Sequence, residues 1–104
     1  MRPLSSTSLA VAAAIHRGFR YGFDIMDETG LPSGTVYPVL GRMERAGLVA
    51  SRWEEADDAH RDGRPPRRYY HLTAEGQRSL AASATHYREL AADLSLDGPG
   101  GRKA

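Results

Sequence analysis

Four arginines, Arg61, Arg64, Arg67 and Arg68, fall within eight residues. A guanidinium presents a planar fork of donors that matches a phosphate or the edge of a guanine, so such a cluster suits polyanion binding rather than bond-making chemistry. Asp57, Asp58 and Asp62 dilute the charge, and a solvated loop is the plainer alternative. A second set is Ser33, Gly34, Thr35, Tyr37 and Pro38, followed by Arg42 and Arg45. Its hydroxyls can reach phosphates or base edges, and Gly34 and Gly41 remove bulk where a backbone must come close. Ser33 can equally serve only as a helix cap, Thr35 can pack, and Tyr37 can belong to the core. The four histidines, His16, His60, His71 and His86, lack the i, i+4 spacing of a paired metal site. No nucleophile–base motif, phosphate-binding loop or dinucleotide glycine fingerprint is present. No catalytic residue, metal ligand or cofactor is therefore assigned.

The chain has 104 residues and 11.4 kDa, enough for one compact domain. It contains no cysteine, which excludes disulfides, iron–sulfur clusters and cysteine zinc sites. Thirteen of its 14 basic residues are arginine, yet the net charge is only +1. Position must decide what those arginines do. No apolar run approaches the roughly 20 residues of a membrane span, and Met1–Ser8 lacks a secretory leader pattern. No membrane partner is expected, and the cytoplasm is the expected compartment.

Six elements can position these residues. An Ala-rich helix fits Ser5 to His16, with Leu9, Ala12, Ala13 and Ile15 or His16 on its apolar face. A short helix fits Tyr21 to Glu28, closed by Gly30. A third helix from Ser33, its natural N-cap, to Ala46 puts Val36, Val39, Leu40 and Met43 on one side. Its other side carries Gly34, Tyr37, Pro38, Gly41, Arg42 and Arg45. Pro38 predicts some local distortion. Val49 to Glu54 and Arg67 to Leu72 alternate with period two and read as a hairpin with a long polar tip, Glu55 to Pro66. Trp53, Tyr69 and Tyr70 read as hairpin packing in preference to a base-stacking platform, with Tyr69 and Tyr70 on opposite faces so that one of them can be exposed. Thr73 caps a final helix in which Leu80, Ala84, Tyr87, Ala91 and Leu94 step by four, three, four and three, a heptad seam suited to a second helix. The predicted fold is mainly α with a β-hairpin wing: a winged helix–turn–helix with a long C-terminal dimerisation helix. Its divisions are residues 1–72, 73–96 and a disordered tail at 97–104.

From Gly18 to Leu80 the chain resembles the PadR family of transcriptional regulators. The strongest block is Ser33-Gly34-Thr35-Val36-Tyr37-Pro38-Val39-Leu40, then Arg42-Met43-Glu44 and Gly47-Leu48-Val49. A second block is Gly63-Arg64-Pro65-Pro66-Arg67-Arg68-Tyr69-Tyr70, then Leu72-Thr73 and Gly76, and Gly22-Phe23-Asp24-Ile25 is similar to a further family element. Phe19 and Tyr21 depart from the usual proline and histidine. The resemblance implies the short class of the family, whose dimers use the terminal helix and the N-terminal helix, here including Leu9. It implies a homodimeric, sequence-specific regulator, a repressor in the first instance, on a double-stranded, pseudo-palindromic DNA operator. The expected DNA contacts are Ser33, Gly34, Thr35, Tyr37, Pro38, Arg42, Arg64, Arg67 and Arg68. A small-molecule effector at the dimer interface would release the DNA. Two other readings stay open: a winged-helix protein-interaction module, favoured by the near-neutral charge, and a small-molecule-binding scaffold whose DNA role is secondary.

Overall fold

The computed structural model describes residues 2–94. The order is α1 (Ser6–His16), α2 (Gly22–Thr29), α3 (Ser33–Arg45), β1 (Val49–Trp53), α4 (Ala56–Arg61), β2 (Arg68–Leu72) and α5 (Ala74–Asp93). The expected tail at 97–104 lies outside the described residues, and so does the end of the 73–96 segment.

The core is one cluster built from every layer: Val11, Ala14 and Ile15 of α1, Ile25 of α2, Val36, Val39, Leu40 and Met43 of α3, and Val49, Tyr70 and Leu72 of the hairpin. The buried side of α3 is the predicted one, and α3 stays a single helix across Pro38. The face of α1 differs from expectation. Val11, Ala12, Ala14 and Ile15 are buried, whereas Leu9 and Ala13 are half-buried and His16 is exposed. A helix of alanines has too little hydrophobic contrast to declare its face. The cap of α3 also differs. Pro32 holds the N-cap position without a side-chain bond, and Ser33 is the first helical residue, which frees its hydroxyl.

β1 and β2 pair antiparallel, with Val49 opposite Leu72 and Trp53 opposite Arg68. The tip is not irregular throughout, because its middle forms the six-residue α4. Asp57 and Asp58 occupy the first turn of that helix and Arg61 the last, as the helix dipole favours. The root of the wing is bonded on its other side to the α1–α2 join: the Tyr70 N–H donates to the Arg20 carbonyl at 2.8 Å, and Tyr21 bridges Tyr69.

α5 closes the domain. The Thr73 hydroxyl accepts from the Gly76 N–H at 3.0 Å and donates to the Gly47 carbonyl at 2.7 Å, so it caps as expected. Gly47 itself has φ 79, a left-handed turn residue that sends the chain from α3 into β1. Gly76, Ser79 and Ser83 are buried along one stripe of α5, and these small side chains let α1 and the α3–β1 turn approach closely. Ahead of α1 the N-terminal segment is clasped to α5. The Leu4 N–H donates to Ser83 Oγ at 2.9 Å, and the Tyr87 hydroxyl donates to the Leu4 carbonyl at 2.7 Å. Leu80 packs on the core and Tyr87 on the N-terminal segment, so part of the heptad seam is used within the chain. Farther along, Leu90 and Leu94 extend the same helix with 44% and 59% of their surface exposed.

Candidate nucleic-acid interface

The outward side of α3 is a shallow, small-residue ridge that ends in charge. Ser33, Gly34, Tyr37, Pro38, Arg42 and Arg45 are exposed, and Thr35 and Gly41 are half-buried. Nothing lies within 4 Å of the position a Cβ would take on Gly34. Pro38 has no N–H to give the Gly34 carbonyl, which therefore lacks its usual helical donor. Tyr37 is 47% exposed, and its ring lies against the Cα of Gly22, where a methyl group would collide with the phenol. The glycine that opens α2 thus sets the pose of a tyrosine on α3.

A polar chain fixes the angle between α3 and the wing. The Ser51 hydroxyl donates to Glu44 at 2.7 Å, Arg68 Nε donates to the Ser51 oxygen at 2.9 Å, and the Arg68 guanidinium lies 3.6 Å from Glu44. The clustered arginines have different assignments. Arg61 is paired with Asp58 inside α4. Arg64, read from the sequence as a DNA contact, is instead bound two-pronged to the carboxylate of Glu54, with one contact at 2.8 Å, and also to Asp62 at 3.1 Å. Glu54 is 8% exposed and accepts the Arg67 backbone N–H as well. A carboxylate that far from water is stable only with such partners. Arg64 therefore fastens the base of the tip rather than facing outward.

Arg67 takes the outward role. Its guanidinium lies 3.8 Å over the ring of Tyr21, which also stacks against Tyr69 with centroids 4.8 Å apart. None of the ion pairs among the described residues uses Arg42, Arg45, Arg52 or Arg67. Two of these, Arg42 and Arg45, are on α3, and the other two are on the wing. Trp53, read from the sequence as hairpin packing, is 62% exposed, and Phe23 at the start of α2 is 72% exposed. For Trp53 the sequence favoured packing over a base-stacking role, and Phe23 read only as an apolar residue of α2, because an aromatic type suits a core as well as a surface.

The Glu54–Arg64 bond has a pH consequence. Hydrogen bonding from Arg64, helped by the Arg67 N–H and both positive charges, outweighs burial and brings the Glu54 carboxyl from an ordinary 4.5 down to about 2. A carboxylate whose pKa falls on folding stabilises the fold above its ordinary value and loses that contribution as the pH drops toward the lowered one. Glu54→Gln should lower stability at neutral pH and flatten its decline between pH 4.5 and 2. Circular-dichroism melts across that window test this, and parallel curves for the two proteins would count against the bond.

The profile of the transcriptional regulator PadR-like family matches residues 11–82. No curated protein is similar enough to count as a relative. Among solved structures, a PadR-like transcription factor from Bacteroides fragilis is 26% identical, with TM-score 0.71, over 84% of each chain. A PadR family regulator from Clostridium difficile R20291 is 23% identical, with TM-score 0.76, over 86% of this chain and 95% of that one. Bordetella bronchiseptica BpsR, whose DNA binding is described as regulated by 6-hydroxynicotinic acid, shares the fold at TM-score 0.74 and 18% identity, over 95% of this chain and 71% of that one. With five helices and a hairpin wing among its described residues and a family match over its whole core, the chain belongs to the PadR-like family of transcriptional regulators, not to an enzyme family.

Proposed function

We propose that this chain is a homodimeric, sequence-specific repressor whose two α3 helices enter successive major grooves of a pseudo-palindromic operator, about 34 Å apart. The observation that carries the reading is the joint placement of arginines outside the ion pairs on α3 and at the outer end of the wing strands, beside a helix face trimmed to glycine, serine and threonine. Ser33, Thr35 and Tyr37 would meet phosphates and base edges, with Gly34 and Pro38 against the groove. Arg42, Arg67 and Arg68 would meet the backbone. Arg64 would act through the shape of the tip. The test is fluorescence anisotropy with DNA from immediately upstream of the protein's own gene, at two salt concentrations and with excess unrelated DNA. Nanomolar binding that survives the competitor supports the reading. Weak binding that the competitor abolishes favours the protein-interaction module instead.

Dimerisation rests on α5. Leu9, Leu80, Ala84, Tyr87, Ala91 and Leu94 keep their proposed interface role, although Leu80 and Tyr87 share it with contacts inside the chain. Leu90 joins them, since it and Leu94 would otherwise leave two large apolar side chains in water. Leu90→Glu with Leu94→Glu should convert a dimer at micromolar concentration into a monomer in sedimentation velocity, with the melting temperature of the monomeric domain little changed. An unaltered dimer would remove α5 from the interface. Effector release is a second, finer proposal. An open groove of about 430 Å³ lies between α1 and α5, bordered by Ala13, His16, Leu80, Ala84 and Arg88, where a ligand would change how two copies meet. The regulation described for BpsR supports the idea without naming a ligand for this chain.

A further inference from the structure

Trp53 and Phe23 are large, exposed and on different elements, yet both border one cleft of about 380 Å³. Tyr37 of α3 and Arg67 and Arg68, at the outer end of the hairpin, are also on its rim. The cleft therefore has apolar jaws and a cationic, hydroxyl-bearing edge. α2 also begins at this cleft. Its N-cap residue, Tyr21, makes no side-chain cap, so the first N–H groups of the helix lack that partner and favour an anion. The wing itself does not require Trp53: it stands at the outermost rung of the hairpin, opposite Arg68, whose guanidinium sits 5.5 Å from the indole centre. That contact holds the ring beside positive charge without burying it.

An occupant that suits this cleft must be apolar in its middle and anionic at its ends. A deoxyribose in a DNA strand has that form, with C–H edges between two phosphates. We propose that Trp53 and Phe23 grip one deoxyribose of the strand flanking the groove entered by α3, while Arg67 and the Tyr37 hydroxyl take the adjoining phosphates. The inference rests on the DNA-binding reading and adds to it a contact independent of sequence and largely independent of charge.

That independence makes it testable. Trp53 is the only tryptophan, so emission excited at the red edge of the indole band, where the five tyrosines do not absorb, reports this site alone. A 30-base-pair duplex of arbitrary sequence at low salt is sufficient, because a sugar contact does not depend on base identity. The duplex should change the emission of the full chain as anisotropy shows binding. Trp53→Ala should weaken binding about tenfold, as expected for roughly 50–60 Å² of apolar burial, with the slope of log affinity against log salt unchanged. Trp53→Phe should recover most of the loss, Phe23→Ala should repeat it, and a melting temperature of Trp53→Ala equal to that of the parent separates the loss from a folding defect. Arg67→Ala should instead reduce the slope by about 0.9. Emission that stays constant while anisotropy rises overturns the proposal, as does a Trp53→Ala protein that binds like the parent. A salt slope that falls in Trp53→Ala overturns it too, because the indole would then be acting through charge. Emission that answers to benzoate and not to duplex assigns the cleft to a small aromatic anion and also overturns it. If the parent chain binds no duplex at low salt, the DNA-binding reading falls with it. If the parent binds and Trp53→Ala and Phe23→Ala bind as it does, the jaws alone fall.

Discussion

Gly76→Ala should cost about 2–4 kcal/mol of stability and lower the melting temperature by roughly 10–20 °C. On an isolated helix the same change would help, since alanine exceeds glycine in helix propensity by about 1 kcal/mol. The sign is reversed by what the glycine touches. A Cβ built there would fall inside the contact shell of the Leu48 carbonyl oxygen, with the Leu48 carbon at 2.9 Å and a Leu72 methyl at 3.3 Å. That carbonyl cannot move aside freely, because it accepts the Thr73 N–H at 3.0 Å. The Thr73 side chain in turn caps α5 and holds Gly47. The methyl must therefore push the whole first turn of α5 off the α3–β1 corner. Equilibrium denaturation of the two proteins measures the difference. A variant as stable as the parent would mean that α5 docks more loosely than this geometry requires.

The second large effect concerns binding and leaves the fold nearly intact. Arg42→Ala with Arg67→Ala should reduce DNA affinity by roughly 10²–10⁴-fold at moderate salt, taking about 1.5–3 kcal/mol for each charged hydrogen bond to phosphate. Losing two phosphate contacts should lower the salt slope by about 1.8. Both residues are exposed and neither is in an ion pair among the described residues, so the melting temperature should change little. Arg61→Ala is the matching control. It belongs to the same basic cluster but is already paired with Asp58, and it should alter affinity less than threefold. Equal losses for Arg61 and for the double variant would mean that net charge, and not position, drives binding.

These two cases mark where the sequence was readable and where it was not. α3 declared itself through the period of Val36, Val39, Leu40 and Met43, and Thr73 through its place before a helical run. Both signals are local. The Glu54–Arg64 bond spans ten residues and exists only once β1 and β2 have fixed the base of the tip, so nearness to the strands set Arg61 apart from the other three but did not separate Arg64 from Arg67 and Arg68. Ser33 has the right chemistry for a cap, but Pro32 occupies the required extended backbone one position earlier. α4 is hidden in a polar run because it buries only Ala59. The need for glycine at 76 is set by a carbonyl 28 positions away, which no window of sequence contains, although a glycine early in a helix invites the question of what packs against it.

The clasp at Leu4 gives the first residues of the chain mechanical leverage. α5 is about 30 Å long at 1.5 Å per residue, and it is pinned near its midpoint by Ser83 and Tyr87, which hold both backbone groups of one residue. Its first turn is locked on the α3–β1 corner, so in the proposed dimer a 5° bend beyond that pin moves the C-terminal end alone, by roughly 1 Å. Two reading heads carried on paired rods would change their separation accordingly. Trimming or extending the chain ahead of Ser5 therefore amounts to retuning a caliper, with the span between half-sites as the scale on which the change is read.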